Sequence, residues 1–187
     1  MSKTTLPLVD PETAPEASRA LLEAAKAETG MIPNLYRAMA NSPQLLEGYR
    51  VLYRLFDATS LTPVERQVVL LSVSYVNACS YCMAGHSLMA EFAGVAPEVV
   101  AALRAGEPVP DPKLAALAEF TRAVVEGRGE LADGQLQAFL DAGYTQTQVL
   151  EVILGVGVKT MSNYTNHVVH TPLDPIMQAK AWTKPAS

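Results

Sequence analysis

Two cysteines three positions apart, with a histidine four positions beyond the second, make the most chemically loaded segment of this 187-residue chain: Cys79-Ser80-Tyr81-Cys82-Met83-Ala84-Gly85-His86. They are the only two cysteines in the sequence. On a helix, positions i, i+3 and i+7 lie on one face, so Cys79, Cys82 and His86 are predicted to point the same way. An imidazole one turn from a thiol can accept its proton or stabilise its thiolate, and the thiolate is the reactive species. A second thiol within reach closes an oxidised first one into a disulfide. The expected chemistry is therefore redox, with no cofactor and no metal. Two plainer uses compete. Free cysteine is among the most buried residue types, so the pair could be core filler. A zinc site would need further ligands from His167, His170 or solvent. Both cysteines landing at this spacing beside a histidine favours redox.

The surrounding pattern predicts helices throughout. Ala17, Leu21, Leu22 and Ala25 mark one that Gly30 ends, and Ser42-Pro43 opens another in cap-then-proline order. Thr62-Pro63-Val64-Glu65 carries the signature of a capping box, with Glu65 reaching back to the cap. The segment it opens, through Val68, Val69, Leu70, Leu71, Val73 and Val76, is apolar nearly all round, which predicts a central, buried helix. Ser72 and Ser74 within it are expected to bond back to carbonyls. Asn77 is expected to break the run and cap a second helix starting at Cys79 and closed by Gly94. The thiols would then occupy a first turn, where unpaired N–H groups favour an anion. Further helices are predicted from Pro97 to about Gly106, over 114–126 and 133–142, and from Thr145 onward. Gly155 and Gly157 in the last one suggest close helix–helix approach. His167 and His170 fall near its negative C-terminal end, a favourable place for them. The tail after Pro172 reads as irregular, docked by Trp182.

A weak internal echo sets Leu61-Thr62 against Tyr144-Thr145 and Tyr81 against Tyr164. The second copy has no cysteine, only Asn163, Asn166 and His167, and is expected to be structural. The organisation predicted is a single domain over 1–187, with an arm over 1–11, redox-site helices over 62–94 and a tail over 173–187.

Composition narrows the function classes. A net charge of −5 gives no basic footprint for nucleic acid. No apolar run reaches the roughly 18 residues of a membrane span. The start, Met-Ser-Lys-Thr-Thr-Leu-Pro, has no apolar signal core, so a cytoplasmic, reducing location is expected, where a cysteine pair cycles rather than staples. The apolar helix 64–76 has more faces than so small a chain is expected to cover, which predicts a homo-oligomer.

The run 61–66 (Leu-Thr-Pro-Val-Glu-Arg), the run 73–78 (Val-Ser-Tyr-Val-Asn-Ala), and Cys79-Ser80-Tyr81-Cys82 with His86 together resemble the AhpD-like superfamily of alkylhydroperoxidases and carboxymuconolactone decarboxylases. Gly30-Met31-Ile32-Pro33-Asn34-Leu35 and Asn41-Ser42-Pro43 resemble its lead-in. The resemblance implies an all-α AhpD-like helical bundle, trimeric or hexameric, that reduces small-molecule hydroperoxides. It makes Cys82 the sulfenic-acid former, Cys79 the resolver and His86 a member of the proton relay. A thioredoxin-like or dihydrolipoyl protein would be the reductant. The family's relay glutamate falls on Gln67, which can hydrogen-bond but not exchange a proton as an acid. Tyr81 stands where one peroxidase subgroup has histidine; a packed ring with its hydroxyl at the surface is expected, the alternative being donation to a bound peroxide oxygen. The alternatives are a decarboxylase-like enzyme, whose members lack the paired cysteines, and a homologue reduced to a structural or binding role.

Overall fold

The computed structural model describes residues 6–185. Its regular elements are helices: α1 Glu16–Thr29, α2 Asn34–Met39, α3 Pro43–Asp57, α4 Pro63–Val76, α5 Ser80–Phe92, α6 Pro97–Ala105, α7 Pro112–Glu126, α8 Gln135–Asp141, α9 Gln146–Val169, and a 3-10 segment Pro175–Lys180. No strand occurs among the described residues. Residues 1–5 of the predicted arm and 186–187 of the predicted tail lie outside them.

Local chemistry sets the helix starts. Ser42, Thr62, Asp111 and Thr145 each accept the backbone N–H three residues on, and proline follows directly at α3, α4 and α7. At α4 the capping box is complete, with Glu65 accepting from the Thr62 N–H at 2.8 Å. Glu65 also pairs with Lys113 at 3.3 Å, and this residue is a cap rather than a relay acid.

Helix α4 is the hub, packed by α5, α6, α7 and α9. Val68, Val69, Leu70, Leu71 and Val73 are fully buried there, each worth about 1.5–3 kcal/mol of transfer free energy. The chain therefore covers α4 by itself, and the oligomer argument drawn from that helix falls away. The unpartnered apolar surface lies instead on α9, where Leu150, Ile153, Tyr164 and Val168 are exposed along one stripe.

Gly155 is where α9 meets α3 and α4: a Cβ there would stand 2.6 Å from the Phe56 ring and 2.9 Å from Val69. Gly157, expected to serve the same approach, faces open space. Ser74 donates to Leu70 O at 2.7 Å as expected, whereas the Ser72 hydroxyl has no partner. The C-terminal tail is more ordered than its composition suggested. Its 3-10 segment lies on α5, and Trp182 docks by donating to Arg104 O at 2.9 Å and packing on Tyr75.

Candidate active site

The chain reverses between α4 and α5 within three residues. Asn77 caps the end of α4, Ala78 takes a left-handed conformation (φ 53°), and Cys79 becomes the N-cap of α5. Asn77 is thus a C-cap and not the N-cap expected. Its side chain instead donates to Asn163 Oδ1 at 2.9 Å, tying the turn to α9. The reversal consumes Asn77 and Ala78, so the cap position falls on the first thiol. Cys82 then stands at the third helical position, in the first turn and near the positive end of the dipole.

Both cysteines are free and buried. The hydrogen-bond partners of the Cys82 sulfur come from α9: Asn166 Nδ2 at 3.2 Å and Ser162 Oγ at 3.6 Å. Asn166 Nδ2 also reaches the Cys79 sulfur at 4.0 Å. The second half of the chain, expected to be structural, supplies half of the thiol environment. Two buried polar atoms beside the sulfurs, Asn166 Oδ1 and Asn163 Nδ2, have no partner.

His86 is buried on the same helix, but its hydrogen bond does not go to a thiol. Nδ1 lies 2.9 Å from Gln67 Oε1. An amide oxygen only accepts, so Nδ1 carries the proton and Nε2 is the ring's acceptor. Burial, and then the positive charge of Lys159, push the imidazole well below the ordinary histidine range. A neutral ring follows, so a thiolate–imidazolium pair is not formed.

The cation near the thiols is Lys159, one turn before Ser162 on α9 and only 1 % exposed. Burial pushes the Cys82 thiol up, but the Cys79 hydrogen bond, the Lys159 charge, and the polar side chains of Ser162 and Asn163 beside it bring it well below the usual thiol range. Cys79 moves the other way, raised by its hydrogen bond to Cys82, by burial and by the thiolate's charge. Cys82 therefore ionises first and Cys79 keeps its proton. The causes are these contacts and not the histidine contact expected.

Cys82, His86 and Lys159 share a cavity of about 340 Å³ walled by Tyr36, Tyr49 and Tyr53 from α2 and α3 and by Met177 of the 3-10 segment. Phe92, 76 % exposed, is at its rim with Met89 and Ile176. The Tyr81 ring is part of the wall, but its hydroxyl is not at the surface: it donates to Asp174 and accepts from Leu35 N at 3.2 Å. Asp174 is itself buried and also accepts from Asn34 N at 3.1 Å, so Tyr81 fastens the C-terminal segment over the site. With that hydroxyl committed, donation to a peroxide is not its role.

His167 is exposed in the last turn of α9, and His170 is its left-handed C-cap (φ 54°), where helix-end placement accounts for both. No group of metal-binding side chains occurs among the described residues.

Lys159, Ser162 and Asn166 were not singled out as thiol partners. No local signal marked them: polar residues at i, i+3 and i+7 opposite the apolar Leu150–Ile153–Tyr164–Val168 stripe read as the solvent side of the helix.

Residues 44–118 match the carboxymuconolactone decarboxylase family, spanning α3 to α7 and hence the thiol helix. The fold is similar to that of an uncharacterised peroxidase-related protein from Ralstonia eutropha JMP134, described as an alkylhydroperoxidase AhpD core. That likeness has a TM-score of 0.81, with 18 % identity over 92 % of this chain and 93 % of that one. The fold is AhpD-like. It is also similar to that of a peroxidase-related protein from Silicibacter sp. TM1040 (TM-score 0.76, 19 % identity, covering 92 % and 91 % of the two chains). A third likeness is to a cysteine-to-alanine variant of the debrominase Bmp8 in complex with 2,3,4-tribromopyrrole (TM-score 0.78, 16 % identity, covering 95 % and 96 %). At these identities the solved structures speak for the fold alone. No curated protein matches this sequence.

Proposed function

We propose that this AhpD-like chain is a cysteine-based hydroperoxide reductase, with Cys82 as the attacking thiolate and Cys79 as the resolving thiol. The observation that carries the reading is the inequality of the two thiols. Cys82 opens onto a cavity and is ringed by Ser162, Asn166 and Lys159, while Cys79, beside it at the helix cap, keeps its proton. The thiolate attacks the distal oxygen of a hydroperoxide, forming Cys82–SOH and releasing an alkoxide. Cys79 then displaces water to close the disulfide. His86, with Nδ1 held by Gln67, accepts the O–H of the bound hydroperoxide at Nε2 and orients it. Tyr81 shapes the wall. The aromatic lining suits a hydroperoxide with an apolar body, and a thioredoxin-like or dihydrolipoyl protein returns the electrons. Such a cycle belongs in a reducing compartment such as the cytoplasm.

A second reading takes the same two electrons to a halogenated arene. The flat aromatic walls around a buried cation favour a weakly acidic ring, and the Bmp8 likeness is to a protein bound to tribromopyrrole. The balance is aryl halide plus two thiols giving arene, halide, a proton and the disulfide.

Reduced protein mixed with cumene hydroperoxide or with tribromopyrrole separates the two readings. Loss of two hydrogens by mass spectrometry, with no covalent dimer, is expected with the hydroperoxide. A disulfide formed only with the halopyrrole, with bromide release, selects the second reading. Oxidation to a covalent dimer sinks both.

A further inference from the structure

Lys159 lies beside the reacting sulfur with no ordinary partner. It is almost wholly buried on α9, lines the same cavity as Cys82, and no carboxylate is within salt-bridge distance of it among the described residues. A buried ammonium without a counter-charge is strongly disfavoured. The groups facing it leave one candidate anion. Tyr36, Tyr49 and Tyr53 are pushed up by burial and stay neutral, and so does Tyr81, which burial and Asp174 push up. His86 is neutral, and its single N–H is given to Gln67. The buried carboxylate of Asp174 is engaged by Tyr81 and Asn34 N. What remains is the Cys82 thiolate.

We propose that Lys159 is the proton carrier of the site: its ammonium is the counter-charge of the Cys82 thiolate, it protonates the leaving oxygen of the substrate, and once neutral it takes the proton of Cys79. The inference rests on the peroxidase reading above and adds the acid and base that reading lacks. In the first step the S–O bond forms as the O–O bond breaks, and the departing alkoxide takes a proton from Lys159 Nζ, giving an alcohol, Cys82–SOH and a neutral amine. In the second, the amine removes the Cys79 proton, the new thiolate attacks the Cys82 sulfur, and that proton leaves with hydroxide as water. Two thiols and one hydroperoxide become a disulfide, an alcohol and water, with no proton drawn from solvent. Reduction by an external dithiol restores two thiol protons, one of which returns to Lys159. His86 cannot do this work, because its only proton is committed to an amide oxygen.

Two substitutions split the roles. Lys159→Met removes charge and proton; Lys159→Arg keeps the charge but cannot act as a base, since guanidinium does not deprotonate in proteins. The readouts are the ultraviolet titration of the Cys82 thiolate and the stopped-flow rates of Cys82–SOH formation and disulfide closure, with circular dichroism confirming the fold. Lys159→Met is expected to raise the thiolate midpoint by about one pH unit or more and to slow sulfenic-acid formation about 100-fold. Lys159→Arg should leave the midpoint within about half a unit while slowing disulfide closure about tenfold or more. His86→Gln should leave the midpoint in place. An unmoved midpoint in Lys159→Met makes the lysine a bystander and overturns the proposal. So does an unslowed closure in Lys159→Arg, or a midpoint that follows His86→Gln instead. If the wild-type protein forms no disulfide with any hydroperoxide, the peroxidase reading fails and the proton-carrier steps fail with it. The titration then separately decides whether Lys159 is the counter-charge.

Discussion

Gln67→Glu places a carboxylate beside the buried His86 imidazole, and its consequence can be worked from one distance. Gln67 Oε1 lies 2.9 Å from His86 Nδ1. With charge centres about 4 Å apart, an ion pair in an effective dielectric near 20 is worth about 4 kcal/mol. That corresponds to about three units of pKa. Burying the new carboxylate opposes part of this, because Gln67 is 8 % exposed. A net rise of about two units is expected, which moves His86 upward from its depressed range. Ring-proton NMR reads this directly. The chain has three histidines, so the His86 signal is assigned by its absence in His86→Gln. The variant's His86 signal should titrate at clearly higher pH than the wild-type signal. A variant midpoint no higher than the wild-type one would refute the electrostatic reasoning. Turnover near neutrality should change by less than about threefold, since general acid–base gains of 100-fold or more belong to a group that moves the proton. A rise of that larger size would assign the proton to His86 and not to Lys159.

The remaining predictions use simpler perturbations. Cys79→Ser should trap a sulfenic acid that dimedone labels at Cys82, while Cys82→Ser should leave Cys79 largely unlabelled; the opposite pattern reverses the two roles. The depressed His86 makes the unfolded chain bind the proton first as pH falls below about 6.5, so native stability declines toward acid by up to about 1.4 kcal/mol per pH unit. Urea titrations should show that slope reduced by this amount in His86→Gln, and equal slopes would contradict the assignment. A second copy is expected to cover the α9 stripe, so light scattering should report a multiple of 20.0 kDa. Ile153→Glu with Val168→Glu should lower that mass, and a 20.0 kDa wild-type species excludes the oligomer.

The helices, the capping box at Thr62–Glu65 and the thiols in the first turn of α5 were all legible in the sequence. Each depends on residues within a turn of one another, where propensity, caps and apolar period act without the rest of the molecule. The Cys-x-x-Cys spacing likewise put the two thiols side by side, because spacing within one turn sets which groups can meet. Tertiary structure decided what each of those groups touches. Only the packing of α9 against α3 and α4, where Gly155 meets Phe56 and Val69, and alongside α5 brings Ser162, Asn166 and Lys159 to a sulfur some eighty residues earlier in the chain. The same packing turns His86 toward Gln67 and buries the Tyr81 hydroxyl on Asp174. A polar residue on an apolar helix reads identically whether it lines a cavity or meets solvent. The direction it faces follows from helix crossings, which no local pattern encodes. Whether Cys82 ionises before Cys79 depends on burial and on one distant ammonium, and those exist only once the chain has folded.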